Sequence, residues 1–372
     1  MSRPPVPATD DARRGPEARR GSAARHRDRD GRRRRPFRGR VLGAVLAAQV
    51  LVVGVAAWSL AAPVVTSSGV TTHGAVTSTK DTVGWLLTCR VSHTLADDPI
   101  VHPGVPGAAH LHDFWGNAST NAGSTYASQI ASGNTAVADT YNGSAVRAGT
   151  SCALGSMAPG TIGDTGSYWA PALYANGTRV VPEAKAQLYY RAKPTLGTGF
   201  RPIPPDARIV VGNHAATSLA ANPGLADGHI YWECAGDSDT HYQAPPTSCT
   251  EFLVNVVYPS CYDGRPMDHS GPNHTDNARF AYAANGRCPA THPVKVPQLS
   301  EKFKYKVPGT GMRLELSADP SMGKGMSGML SPTYTMHADF WNTWQPKALT
   351  YLVDRCLNAG VSCGTNPVTP LG

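Results

Sequence analysis

Eight cysteines constrain the fold of this chain more than any other feature of its sequence. All of them lie at or after Cys89, and no Cys-x-x-Cys occurs, so neither a zinc ribbon nor a thioredoxin-like redox site is indicated. Eight cysteines in one region are typical of a disulfide-stabilised domain in an oxidising compartment, although they allow about 105 pairings. Pairing each cysteine with its neighbour in sequence predicts four disulfides: Cys89–Cys152, Cys234–Cys249, Cys261–Cys288 and Cys356–Cys363.

Strand patterns run through the same part of the chain. The 38 glycines and 31 prolines favour turns and short strands over long helices. Residues 251–258 are apolar almost throughout, which predicts a strand that is covered on both faces. Residues 302–307 alternate lysine with apolar side chains, which predicts a half-exposed strand whose lysines discourage edge-to-edge association. Further candidate strands are residues 185–191, 208–211, 229–234, 280–283 and 312–316.

One helix is indicated near the end of the chain. Its apolar stripe, at the spacing of a 3.6-residue repeat, consists of Leu349, Leu352, Val353 and Cys356. Pro346 suits the first turn of this helix, and Gly360 suits its C-terminal cap. The sequence therefore predicts a mainly β, sandwich-like single domain, held together by disulfides, with a C-terminal α-helix packed on it.

The N-terminal part of the chain differs from this domain in composition. Residues 1–40 contain 14 arginines and five acidic residues and almost nothing apolar, which predicts a disordered basic tail. Residues 41–65 are apolar and uncharged, long enough for a membrane span, and they follow the arginines. We therefore expect a transmembrane signal-anchor with the basic tail in the cytoplasm. A signal peptide that is cleaved after export is the alternative, with Ser59-Leu-Ala as a small-residue cleavage site.

The remaining boundaries follow from composition. Residues 66–84 are rich in serine, threonine and glycine and predict a flexible linker. The folded domain is expected over residues 85–363, and residues 364–372 are expected to form a disordered tail.

With the basic tail removed the rest of the chain is close to neutral, which argues against a nucleic-acid partner. The expected partner is the membrane, through residues 41–65, with the C-terminal domain outside the cell, either anchored or secreted.

A histidine motif provides the first candidate site. The sequence His-Leu-His-Asp-Phe-Trp-Gly begins at His110, and a related His-Ala-Asp-Phe-Trp begins at His337. In an extended segment His110 and His112 share one face, whereas Asp113 points to the other. If His337 joins them, three imidazole nitrogens can bind one copper or zinc ion and leave a position open.

A second hypothesis is a cleft that binds or cleaves polysaccharide. Two carboxylates, Asp113 and Asp339, are the candidate catalytic pair, and their separation would decide between retention and inversion of the sugar. Aromatic rings cover the C–H faces of sugars, and polar side chains bind the hydroxyl groups. The candidate substrate-binding residues are Trp115, Tyr168, Trp169, Trp232, Asp268, His274 and Trp341. An enzyme of this kind would be a polysaccharide-active hydrolase or a metal-dependent oxidase; a purely structural surface module is the third possibility.

Several short motifs also occur in the order of a known family. They include His110-Leu-His, Ser167-Tyr-Trp-Ala-Pro, Trp232-Glu-Cys, Tyr258-Pro-Ser-Cys-Tyr-Asp-Gly, Cys288-Pro, Pro297-Gln-Leu and His337-Ala-Asp-Phe. Together they resemble the DUF1996 family of secreted bacterial and fungal domains of unknown function, from about Cys89 to Cys356. The resemblance implies an exported domain and marks site positions, but it implies no reaction. One position departs from the family pattern, because Asn277 stands where a second histidine of an Asp-His-x-x-His run is expected.

Reduction tests the predicted disulfides. We expect dithiothreitol to lower the melting temperature of the purified protein strongly, because losing one native disulfide costs about 2–5 kcal/mol. Thermal unfolding followed by circular dichroism, with and without reductant, measures the effect. A melting curve that does not change on reduction would mean that the cysteines are free.

Overall fold

The computed structural model describes most of the chain after residue 82. The described residues are 83–133, 139–141, 144–146, 149–154, 161–183, 185–270, 272–318, 329–367 and 369–370. The predicted basic tail, the apolar run and nearly all of the predicted linker lie outside these residues. Within the described part of the chain, no helix combines the length and the apolar character needed to cross a bilayer. The membrane anchor at residues 41–65 therefore stays a prediction.

The described residues form mostly short strands. The first eleven are β1 (Gly84–Cys89), β2 (His93–Leu95), β3 (His112–Gly116), β4 (Asp139–Tyr141), β5 (Ser144–Val146), β6 (Ala153–Leu154), β7 (Thr161–Ile162), β8 (Ser167–Pro171), β9 (Leu173–Ala175), β10 (Thr178–Val180) and β11 (Ala186–Arg191). The others are β12 (Arg208–Gly212), β13 (Ile230–Cys234), β14 (Glu251–Val257), β15 (Cys261–Tyr262), β16 (Phe280–Ala281), β17 (Val294–Lys295), β18 (Gln298–Lys306), β19 (Leu314–Ser317), β20 (Met329–Leu330), β21 (His337–Trp341), β22 (Ser362–Thr365) and β23 (Thr369–Pro370).

The helices among the described residues are few and short. The α-helices are α1 (Tyr126–Gly133), α2 (Pro223–Ala226), α3 (Pro332–Thr335) and α4 (Pro346–Leu352). Helix α4 begins with Pro346 and continues directly into a π-helical segment, Val353–Asn358. The apolar stripe of this unit is buried, and Gly360 follows it with a φ of 69°, as expected for a C-terminal cap. The predicted C-terminal helix is confirmed.

Two sheets carry most of the structure. The larger sheet has six strands in the order β13-β14-β18-β11-β1-β22, and the second has five in the order β12-β21-β8-β3-β2. Neighbouring strands are antiparallel in both sheets except β1 and β22, which are parallel. Side chains from the two sheets form one buried core, in which Trp115 stacks on Phe303 with ring centroids 4.2 Å apart. The predicted mainly β, sandwich-like fold is confirmed.

Strand β18 shows how alternation builds this core. Phe303 and Tyr305 are buried between the sheets, whereas the lysines at alternate positions point outward. Lys302 donates to Glu233 at 2.7 Å, and Lys304 lies 2.8 Å from Glu251. Because β18 lies between β14 and β11, these lysines form cross-strand ion pairs inside the sheet. The expectation that they protect an exposed edge is wrong.

The four predicted disulfides are confirmed. The structure contains Cys89–Cys152, Cys234–Cys249, Cys261–Cys288 and Cys356–Cys363, and no cysteine of the described residues is free. The last of these connects the π-helical segment to β22. Beyond it, Asn366 accepts a hydrogen bond from the backbone N–H of Thr88 at 2.9 Å. These contacts extend the folded body past residue 363, where the predicted boundary lay, to at least Asn366.

A buried polar network crosses the sandwich. The carboxyl oxygens of Asp164 accept hydrogen bonds from the Tyr168 hydroxyl at 2.7 Å and the Gly166 backbone N–H at 2.7 Å. The Tyr168 hydroxyl also contacts the Tyr190 hydroxyl at 2.5 Å, which accepts from the indole of Trp344 at 3.0 Å. Burial raises the pKa of Asp164 from its ordinary value of 3.8 to about 8, although these hydrogen bonds oppose the shift. The folded protein therefore keeps Asp164 protonated at neutral pH.

This raised pKa predicts a pH-dependent stability. Between the ordinary pKa and about 8, the folded state binds one proton that the unfolded state has released, so stability falls as pH rises. The slope contributed by Asp164 is about 1.4 kcal/mol per pH unit. We expect Asp164→Asn to remove this contribution, measured as urea unfolding free energies between about pH 5 and about pH 7. Asp239→Asn, which removes an exposed carboxylate, should keep the wild-type slope; an equal slope in Asp164→Asn would contradict the prediction.

Candidate functional site

The candidate site lies on one face of the five-stranded sheet. Because side chains alternate along a strand, β3, β8 and β21 each present one set of residues to the sandwich core and the other set to the opposite face. We call this opposite face the outer face. Asp339 pairs with Trp169 across β21 and β8, and Phe114 pairs with Trp169 across β3 and β8, so all three share the outer face. His112 and His337 lie two residues from Phe114 and Asp339, and they share it too.

The outer face is buried beneath the segment that joins β2 to β3. Ile100 from this segment packs with Phe114, Trp169 and Trp341 in a second hydrophobic cluster. The segment is held in place by Asp97, whose carboxylate accepts from the backbone N–H of Gly107 at 2.9 Å and that of Ala122 at 3.0 Å. His110 belongs to the end of this segment and not to β3, whose first residue is His112. The sheet is therefore covered on both faces.

Three histidines meet on the outer face. The ring of His110 lies 4.1 Å from that of His112 and 4.9 Å from that of His337, measured between centroids. The Nε2 atoms of His110 and His337 are 3.1 Å apart, and one nitrogen of each histidine lies within 4.8 Å of the other two. None of the three is more than 4% exposed. The structure thus brings together the three residues that the sequence predicts as metal ligands.

The hydrogen bonds of these histidines determine their tautomers. His112 Nδ1 lies 3.0 Å from the carbonyl oxygen of Asp97, and His337 Nδ1 lies 2.8 Å from that of Thr335. Since a carbonyl oxygen only accepts, each Nδ1 carries the hydrogen and each Nε2 carries a lone pair. The Nε2 of His112 has no hydrogen-bond partner in the described structure. Burial, followed by the neighbouring histidines, lowers the pKa of all three rings well below the ordinary value, so they are neutral.

Two carboxylates adjoin the histidines. Asp339 Oδ2 lies 3.9 Å from His337 Nε2, and ligand atoms of Asp98, His112 and Asp339 lie within 4.8 Å of one another. Asp98 accepts from the backbone N–H groups of Ile100 at 2.9 Å and Val101 at 2.8 Å. Burial raises the pKa of both carboxyl groups, that of Asp339 well above its usual range. Sequence reasoning missed Asp98, because it stands outside the histidine motif and in no periodic pattern.

A fourth histidine connects this cluster to the surface. The ring of His214 lies 5.9 Å from that of His110 and 5.8 Å from that of His337. His214 also lines a cleft of about 520 Å³ beside β12, the edge strand of the sheet. The other lining residues are Val101, Val210, Gly212, Asn213, Pro223, Asn273, Thr275, Asn277 and Ala278, and none carries a carboxylate, an ammonium or a guanidinium group. Sequence reasoning missed His214, since it is a single histidine just after a strand.

A comparison with known protein families matches this region. The family model of a domain of unknown function, DUF1996, matches residues 98–344. The chain belongs to the DUF1996 family. The match includes every residue of the histidine cluster, both adjoining carboxylates and His214. Comparisons with curated proteins and with solved structures find no match.

The position at which the sequence is expected to depart from the DUF1996 pattern, Asn277, lies in the cleft wall. Asn277, in place of the expected histidine, pairs its side chain with both backbone groups of Val210, at 2.9 and 2.7 Å. It thereby continues the hydrogen bonding of the edge strand β12. The nearby His269 lies 3.2 Å from the carboxylate of Asp276 and 3.0 Å from the carbonyl oxygen of Asp206. His269 thus makes structural contacts and is not among the residues lining the cleft.

The structure does not form the predicted catalytic pair. Asp113 lies one residue after His112, so it points to the core side of the sheet, whereas Asp339 points to the outer face. Asp113 forms a buried ion pair with Arg179 and accepts from the Thr94 hydroxyl at 2.8 Å. Its carboxylate fastens β3 to β10, which is a structural role. The two carboxylates cannot flank one glycosidic bond from opposite faces of a sheet.

The predicted aromatic platform is also absent from the surface. The five aromatic residues assigned to substrate binding are fully buried: Trp115, Tyr168, Trp169, Trp232 and Trp341. A ring whose faces pack inside the protein cannot stack on a sugar, so this assignment is wrong. The two polar candidates lie elsewhere: Asp268 forms an ion pair with Arg279, and His274 is exposed outside the residues that line the cleft. Apolar burial, and not ligand contact, explains why aromatic residues accompany the histidine motifs.

Proposed function

We propose that this DUF1996 protein is an exported domain that binds one transition-metal ion through His110, His112 and His337. Four disulfides support an extracellular setting, since such bonds persist in oxidising compartments. We propose the cell membrane as its location, with residues 41–65 as a single-pass anchor, or release from the cell after cleavage of that segment. If the three histidines are its only protein ligands, the ion would be copper or zinc, because imidazole nitrogen suits both metals.

The observation that carries this proposal is the unpartnered Nε2 of His112. Its Nδ1 is fixed by the Asp97 carbonyl, so the Nε2 lone pair is aimed into the cluster and finds no donor among the described residues. A buried acceptor without a donor is costly in a purely structural site. A metal ligand has this arrangement, because the second nitrogen of a ligating imidazole is usually held by a carbonyl or carboxylate.

The spacing of the other two histidines supports the same proposal. Two nitrogens bound to one ion at about 2.0–2.1 Å lie about 2.9–3.3 Å apart for angles between a right angle and a tetrahedral one. The Nε2 atoms of His110 and His337 are 3.1 Å apart, a hydrogen-bond distance that also falls within that range. Binding a cation also places a positive charge beside Asp339, which offsets the cost of burying that carboxylate.

Metal loading tests the proposal directly. After treatment with chelator and reconstitution with Zn(II) or Cu(II), we expect the full-length chain to retain about one equivalent of metal, by elemental analysis after desalting. His112→Ala and His337→Gln should each lose most of the bound metal, while the exposed His274→Ala should keep it. Circular dichroism checks that each variant is folded. Failure of the wild-type protein to retain any transition metal would remove the proposal.

The cleft beside His214 supports a second candidate function, the binding of polysaccharide. Amide side chains are suited to sugar hydroxyl groups, and the absence of charged groups among the lining residues favours a neutral ligand. We expect binding on a glycan array to fall in Asn273→Ala, whose side chain lines the cleft. Asp239→Ala, an exposed change elsewhere, should leave binding as in the wild type. Equal binding by both variants would rule out the cleft as the sugar site.

A further inference from the structure

Asp339 is a buried carboxylate beside the histidine cluster that has no hydrogen-bond partner. Its side chain is fully buried, and neither of its oxygens has a hydrogen-bond partner in the described structure. By contrast, the equally buried Asp164 accepts hydrogen bonds at both oxygens. A buried charge without partners costs several kcal/mol or more, so natural proteins pair such groups with cations or neutralise them.

The protein supplies Asp339 with little positive charge of its own. Among the described residues its ion-pair contact is His337, whose Nε2 lies 3.9 Å from Asp339 Oδ2. The other two titratable groups that act on it, Asp98 and Glu301, are acidic and supply no positive charge. These surroundings provide no structural partner that would explain an aspartate here.

The placement of Asp339 relative to the histidines fits a shared ion. His337 and Asp339 are two residues apart on β21 and point to the same face, and His112 reaches that face from β3. Asp339 lies 3.9 Å from His337 Nε2 and within 4.8 Å of a His112 nitrogen. Two histidines and one carboxylate on one side of an ion form the arrangement that leaves further positions open, as in non-haem Fe(II) sites.

We infer that Asp339 is itself a ligand of the metal ion, so that the centre combines imidazole nitrogens with one carboxylate oxygen. This inference rests on the proposed metal centre and adds to it a ligand and a preference. Imidazole alone accepts copper readily, whereas a carboxylate oxygen suits harder divalent ions. The centre should therefore hold Fe(II) or Zn(II) with the help of Asp339, and Cu(I) without it.

Affinity measurements on matched variants test the inference. We expect Asp339→Asn in the full-length chain to weaken Zn(II) and Fe(II) binding about tenfold or more, measured anaerobically by competition with chromophoric chelators. The affinity for Cu(I) should change by less than about threefold. Asp113→Asn is the matched control, because it removes a buried carboxylate of the same sheet from the opposite face. It should leave all three affinities unchanged.

Stability without metal provides a second readout that a structural role would not produce. If Asp339 serves the ion, the chelator-treated Asp339→Asn protein should melt at the same temperature as the chelator-treated wild type or higher, because an unpaired buried carboxylate is removed. Added Zn(II) should raise the melting temperature of the wild type more than that of the variant.

The outcomes separate this inference from the proposed function. If the wild-type protein binds no metal, the proposed metal centre itself is wrong. If the wild type binds Zn(II) and Asp339→Asn binds it equally well, the centre stands and the role of Asp339 is refuted. A variant that melts lower than the wild type in chelator, with unchanged Zn(II) affinity, would show that Asp339 is a structural residue.

Discussion

The burial of both faces of the five-stranded sheet is the constraint on which the rest of the structure depends. One face packs against the six-stranded sheet, and the other is covered by the segment between β2 and β3. Strand alternation then decides which residues enter the sandwich core and which enter the second layer. The histidines of β3 and β21 fall in the second layer, where they are shielded from water but close to the edge strand β12. A site in this position is shielded from bulk water, yet it lies close to His214, which lines the cleft beside β12.

Much of the architecture could be predicted from the sequence because it depends on local patterns. The apolar run at residues 251–258, the alternation at residues 302–307, the stripe of the last helix and the order of the cysteines all act over short distances. Pairing neighbouring cysteines succeeds because short strands keep neighbouring segments adjacent in space. The strand order could not be predicted, since it depends on contacts between distant segments. The sequence pattern therefore did not show that β18 is central, and its lysines were assigned to an edge.

The candidate site was predicted in part, and the errors have one cause. His112 and His337 can share a face only if Asp113 and Asp339 do not, because Asp113 is one residue from its histidine and Asp339 is two. One spacing is odd and the other is even, which can be read from the sequence. In two strands of one sheet this difference excludes Asp113 and Asp339 as a catalytic pair. The aromatic residues were misassigned for a related reason: a strand covered on both faces buries every ring, so aromatic neighbours of a motif do not imply an exposed platform.

Asp164 and Asp339, two of the buried acidic side chains, show how a protein separates structure from function. Asp164 sits in a closed network in which tyrosine hydroxyl and backbone N–H groups satisfy its oxygens, and that network joins the two sheets. Asp339 has no such partners, although it lies in an equally dry place, beside a histidine nitrogen that also lacks one. Sequences that fold well violate local rules mainly where function requires it. His112 and Asp339 come from distant segments, each has an unsatisfied atom, and they offer ligand atoms within 4.8 Å of each other. This is the kind of violation that a bound ion would resolve.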